Sequence, residues 1–250
     1  MAKKFYWDST KTIDAIVSAG TTVTTTYTDA PGAVTNEAYV NDQSVAALVT
    51  SFGDDDAIRF DFTSSVDGDY IMVYFDAQET DNLDIYAGAS ATAMGTKIVS
   101  HTTTFTAGWN IIDLSGTNSG RYWFIVADGA IANLAEIFIG ELFTFPVGYD
   151  LGNTKGAIYG VDVTESYGGI ESANKRHGAK GTWNWSWSFL SETAKDNLVT
   201  MREDIDFNRL KFIYDDETTK NWVRLVGGLD MTEVVFQGYN TTVSLRGQLE

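Results

Sequence analysis

The sequence predicts a mainly β protein in two parts: an N-terminal β-sandwich of jelly-roll type, and a C-terminal β-domain carrying one α-helix. Three observations point there. Short apolar and aromatic stretches recur between clusters of Gly, Asn, Asp and Ser, the pattern of many short strands joined by turns. A single segment has helical spacing behind an N-cap residue. The second of only two prolines, Pro146, is followed by the Gly- and Asn-rich "VGYDLGNTKG", which reads as a domain junction. The expected parts are therefore residues 1–146 and 147–250.

In the first part, "AIRFDFTSS" (57–65) sets Ile58, Phe60 and Phe62 against Arg59, Asp61 and Thr63, the alternation of a strand with one buried face. "DYIMVYFDA" (69–77) is a nearly continuous apolar run, as expected of a strand buried on both faces. "LDIYAG", "GWNIIDLSG", "GRYWFIVADG" and "AEIFIGELFTF" come next, each closed by turn residues. "QSVAALVTSF" (43–52) has the composition of a short helix or turn.

In the second part, strands are expected at "AIYGVDVTES", "KGTWNWSWSFL", "RLKFIYDD", "NWVRLVGG", "EVVFQG" and "TTVSLRGQLE". The helix lies near 191–205. Ser191 is a good N-cap, and Ala194, Leu198, Met201 and Ile205 fall on one face.

Composition excludes several classes of function. With 34 acidic and 17 basic residues the net charge is -17, which argues against nucleic acid or an anionic membrane as partner. The charge is uneven: residues 1–146 hold 6 basic and 19 acidic residues, a net of -13, and residues 147–250 hold 11 and 15, a net of -4. The absence of cysteine removes disulfides and thiolate chemistry. No apolar run reaches the roughly 18 residues of a membrane helix. The N-terminus lacks the apolar core of a signal peptide, so folding in a cytoplasm is expected.

Catalytic signals are poor. His101 and His177 are the only histidines, and neither lies in a metal-ligand spacing. No nucleophile elbow or phosphate-binding glycine loop occurs, so the chain reads as a non-enzyme. "GDDDA" (53–57), "DGDY" (67–70) and "ETDNLD" (79–84) are oxygen-rich, but none matches a calcium loop. Turn chemistry explains them without a metal, so no cofactor is expected, with a structural calcium as the alternative.

Two stretches invite an interaction role. Lys175, Arg176, His177 and Lys180 concentrate positive charge in "SANKRHGAKG". This reads either as a solvated hairpin loop or as a basic loop reaching onto a neighbouring acidic surface, for which a copy of the N-terminal domain is the candidate. In "KGTWNWSWSFLSE", Trp183, Trp185 and Trp187 alternate, with Phe189 in the same parity and Asn184, Ser186 and Ser188 opposite. Three indoles exposed together would form a large apolar patch, so that face is expected in a core or subunit interface. Glycan stacking would instead draw on Trp7, Tyr27, Tyr39 and Trp109, whose ordinary alternative is burial.

"GRYWFIVADGAIANLAEIFIGELFTFP" (120–146) resembles the end of a galactose-binding-like (discoidin-like) β-sandwich. The remainder of the chain resembles the second β-domain of tail-tip proteins from tailed bacteriophages. The matching features, in order, are the small-residue turn of "VTESYGGIES", the basic hairpin, the aromatic strand, the helix opening with "FLSE", "LKFIYDDETTKNWVRLVGG" and the closing "YNTTVSLRGQLE". The likeness covers roughly residues 110–250. One departure is "ANKRHGAK", which is shorter and poorer in arginine than the hairpin of related tail proteins.

This resemblance implies a distal tail (baseplate) protein: a virion component, assembled in a host bacterial cytoplasm, that joins the tail tube to the receptor-binding or hub apparatus. Its implied partners are further copies of itself in a six-fold or three-fold ring and the adjoining tail proteins. Two alternatives stand beside it. One is a carbohydrate-binding module that attaches to a host glycan, and the other is a neck or head-decoration protein of the same virion.

Overall fold

A computed structural model of the chain describes residues 3–248 apart from 147, 149, 166 and 168–170. Among the described residues it is mainly β with one α-helix, and its first part is a β-sandwich. The chain divides into two compact units, Phe5–Phe143 and Met1–Lys4 with Thr144–Glu250. The division falls before Pro146 because Phe145 already belongs with the second unit. Its N–H donates to the Lys3 carbonyl at 3.0 Å.

The sandwich is built from β1 (Lys4–Trp7), β2 (Ile16–Val23), β3 (Thr26–Asp29), β4 (Asp56–Phe75), β5 (Asn82–Gly88), β6 (Lys97–His101), β7 (Gly108–Asp128) and β8 (Leu134–Thr144). Where the sequence suggests four separate strands, there are two long ones. β4 runs through "SSVDG" and β7 through "LSGTNSG", with register irregularities at Asp61/Val66 and Gly68/Tyr70. Ala57–Asp61 pair with β7 and with β2, and Tyr70–Phe75 pair with β7 and with β8. Each long strand therefore contributes to both layers, the irregularities supplying the bend. Ile58, Phe60, Ile71, Val73, Phe75, Trp123, Ile125, Ile137 and Ile139 meet in one core between the layers. "QSVAALVTSF" forms no helix; a 3-10 turn lies earlier, at Glu37–Asn41. Val45, Val49 and Phe52 are instead buried singly from an irregular loop.

β1 approaches β8 so closely that a Cβ at Gly140 would overlap the Trp7 carbonyl oxygen. Just beyond, Asp8 is fully buried and accepts hydrogen bonds from the Thr12 N–H at 2.7 Å and from the Thr10 and Thr12 hydroxyls at 3.0 Å each. Burial pushes its carboxyl up to about 6, against the lowering effect of those donors.

The second unit holds β9 (Thr154–Glu165), β10 (Glu171–Ser191), α1 (Glu192–Asp204), β11 (Phe212–Asp215), β12 (Lys220–Leu225), β13 (Met231–Val235) and β14 (Gly238–Gly247). Its sheet runs β11-β12-β14-β10-β9, all neighbours antiparallel, with β13 also on β14. The Ser191 hydroxyl accepts from the Ala194 N–H at 3.3 Å and starts α1, whose Ala194, Leu198 and Met201 are buried. No helix among the described residues is long and apolar enough to cross a membrane. Part of the small-residue turn in "VTESYGGIES", two junction residues and the terminal Leu249 and Glu250 lie outside the described residues.

Candidate functional site

Trp183, Trp185 and Trp187 all face the interior of the second unit, with exposures of 5%, 8% and 1%. Trp183 and Trp185 pack on Tyr214, with ring centroids 5.6 and 6.3 Å apart, and Trp187 stacks on Phe145. Lys155 and Lys3 lie 6.0 and 5.6 Å over the rings of Trp183 and Trp185, contacts in which an ammonium meets a π-face. Phe189 departs from the expected parity. The register with β14 shifts between Trp187 and Leu190, Phe189 takes a left-handed φ of 59°, and its ring is 65% exposed. The extra residue of a bulge turns the next side chain over, so Leu190 takes the buried place and Phe189 faces outward.

The basic segment is not a loop. Residues 171–184 pair with β9, and only residues 182–191 of β10 pair with β14. Beyond Thr182, β9 and β10 therefore form a two-stranded arm. Lys175 and Arg176 are exposed on it, while His177 and Lys180 are half-buried. Arg176 pairs with Asp162 across the arm. The His177 ring covers Gly160, where a Cβ would fall within the imidazole, and its Nδ1 lies 2.6 Å from the Gly178 carbonyl. His177 is thus a packing residue of the arm. Two register shifts, at Lys175/His177 and His177/Ala179, accommodate it.

On β9, Ile158, Tyr159, Val161 and Val163 are all exposed, Tyr159 by 65% and Val163 by 59%. Tyr159, Val161 and Val163 share one face, opposite Ala179, Lys175 and Ala173. A two-stranded ribbon is marginal in water on its own, and unpaired edges with apolar side chains favour pairing with another chain.

Opposite the tryptophans, Ser186, Ser188, Asp150, Asp230, Asn240 and Thr242 line an open cleft of about 510 Å³ in the second unit. Ser188 Oγ donates to Asp150 Oδ2 at 2.7 Å, and the Ser186 and Thr242 hydroxyls lie 3.0 Å apart. The Gly227–Gly228 turn forms its rim. The sequence carries the polar parity of Ser186 and Ser188 but gives no sign that Asp150 and Asp230 come to the same hollow.

In the sandwich, three of the four glycan candidates are buried. Trp7, Tyr27 and Trp109 are core residues, with Tyr27 against Phe124 and Trp109 against Tyr74 and Phe138. Burial pushes the Tyr27 hydroxyl up to about 12. These three rings offer no stacking face because neighbouring side chains cover them, Tyr27 in a cluster with Ala57, Tyr86, Met94 and Phe124 that is separate from the core between the layers; of the four, Tyr39 alone is at the surface. The acidic turns hold their own backbone: Asp56 Oδ2 accepts from the Gly53 N–H, Glu79 Oε1 from Thr80, and Glu79 Oε2 from Ala132. His101 stacks on Phe105 at 4.4 Å, and burial lowers its basicity. Among the described residues no cluster of three or more His, Asp or Glu could hold a metal ion.

No protein-family model matches the chain, and no curated protein matches it. Solved structures resemble it over about half its length. The family 32 carbohydrate-binding module of Clostridium perfringens NanJ, in complex with galactose, is 10% identical, spans 55% of this chain and 99% of its own, and gives a TM-score of 0.40. A module from a C. perfringens family 31 glycoside hydrolase is 12% identical over 50% and 94%, with a TM-score of 0.37. A chitosan-binding module from Paenibacillus sp. IK-5 is 14% identical over 52% and 98%, with a TM-score of 0.39.

Proposed function

We propose that the chain is a non-catalytic structural subunit that assembles with copies of itself through the β9–β10 arm. The observation that carries this reading is the arm's exposed row of Tyr159, Val161 and Val163 on an unpaired edge strand. Such an edge is a hazard in a free monomer and an asset in an assembly. The order of motifs between residues 110 and 250 supports a ring at the tail tip of a tailed bacteriophage, next to tube and hub proteins. Light scattering on the purified chain at high concentration tests it, beside a variant in which Ala157–Lys180 is replaced by a short Asn-Gly turn. A closed ring lost in the variant supports the reading; two monomers of equal thermal stability would end it.

A second reading is attachment to a host glycan by the sandwich. It is favoured by a hollow of about 330 Å³ between Thr50–Gly53 and Ala130–Ala132, a size that admits a sugar. Galactose is the first probe to titrate, then a glycan array with calcium present. A blank array removes this reading.

A further inference from the structure

We propose that Arg224 and Arg246 form an oxyanion site in the second unit, on the sheet face opposite Trp183 and Trp185, that takes a carboxylate or a phosphate-type group. The site is independent of the assembly reading, because it needs neither the arm nor a ring.

Strand register makes the site. Arg224 on β12 lies directly opposite Arg246 on β14, and Arg246 lies directly opposite Thr182 on β10. Residues so paired on antiparallel strands sit about 4.5–5.5 Å apart at Cα and present their side chains to the same face. Lys180 precedes Thr182 by two residues on a regular stretch of β10, so it shares that face and is the diagonal neighbour of Arg246. Three neighbouring strands thus place three cations together, in a chain with twice as many acidic as basic residues.

No carboxylate of the second unit answers them. Among the described residues none of the three forms an ion pair. Arg224 is partly buried, and its Nε is sealed from solvent without an acceptor. Like charges directly opposite each other destabilise a sheet, and a buried donor without a partner does so too. An oxyanion between the two guanidiniums removes the first cost and lets the Arg224 fork turn its Nε–H onto an acceptor.

There is also room for the ligand. Beside Arg246 lies a hollow of about 220 Å³ whose lining includes Thr182, Asn184 and Ser244. Their hydroxyl and amide groups can donate to the remaining oxygens, while the planar guanidinium matches the geometry of carboxylate and phosphate. Asp150 and Asp230 line the adjoining cleft, which shares Ser244 with this hollow, and pair with neither arginine.

The test uses the whole chain, with sodium phosphate and sodium glutamate as probes and sodium chloride at matched ionic strength as the control. Each probe should move the Nε–H resonances of Arg224 and Arg246 and raise the melting temperature beyond the effect of chloride. Arg224→Gln and Arg246→Gln should each weaken phosphate binding about tenfold or more. Arg246 is exposed, so Arg246→Gln should melt no lower than native in chloride, one of two like charges having gone. Phosphate that saturates a monomeric chain supports the site and identifies a free oxyanion as its ligand. Phosphate that dissolves complexes which Arg246→Gln also abolishes supports the site and identifies a carboxylate of a second copy. If the probes act no more than chloride on the native chain, or act equally on native and both variants, the proposal is overturned.

Discussion

Phe145 lies flat on Trp187, with ring centroids 3.8 Å apart and planes within 5° of parallel. This contact ties the segment entering the second unit to the aromatic face of β10. Trp187 is among the largest fully buried side chains of the protein. Trp187→Ala should therefore cost about 3–5 kcal/mol by cavity formation, seen as a fall in the melting temperature of the second unit. A charge at Trp185 or Trp187 should prevent folding of that unit, read by loss of its near-ultraviolet dichroism.

Phe189 predicts the reverse. Its ring is exposed and its backbone left-handed, a conformation that glycine adopts at no steric cost. Phe189→Gly should leave stability within about 0.5 kcal/mol of native. A loss as large as that of Trp187→Ala would mean that the bulge is absent.

Gly160 and His177 test whether the arm is ordered by its own contacts. Gly160→Ala must displace the imidazole, so the arm should loosen while the core of the unit, far along β10, keeps its stability. Hydrogen exchange should quicken in Ala157–Lys180 and stay unchanged at Trp185 and Val243.

Asp8 carries a pH prediction. Its carboxyl titrates at about 6 in the folded protein against 3.8 when unfolded, so the folded state holds the proton more tightly. Its contribution is most favourable below about pH 4, declines as pH rises to about 6, and is level above that. The interval corresponds to roughly 3 kcal/mol. Native protein should lose this much relative to Asp8→Asn between pH 4 and pH 7, measured by urea unfolding of both. A constant difference across that range would contradict the buried, raised acid. Asp61, lowered chiefly by its hydrogen bonds from Arg121 at 2.8 and 3.0 Å, acts oppositely and cancels in the comparison.

Local pattern in the chain suffices for the β class, the break near Pro146, the Ser191 cap and the inward row of Trp183, Trp185 and Trp187. All of these depend on local period or on a residue's own hydrogen bond, which the chain states directly. The other features arise from contacts between distant residues. Alternation tells which side chains share a face but not what covers it, so the burial of Trp7, Tyr27 and Trp109 shows only once distant side chains pack over them. Strand register is set by distant partners; hence a bulge against β14 reversed Phe189, and pairing with β9 made an arm of the basic segment. The cleft needed Asp150, Ser186, Asp230 and Asn240 from separate parts of the sequence, and only the folded sheet brings them to one hollow.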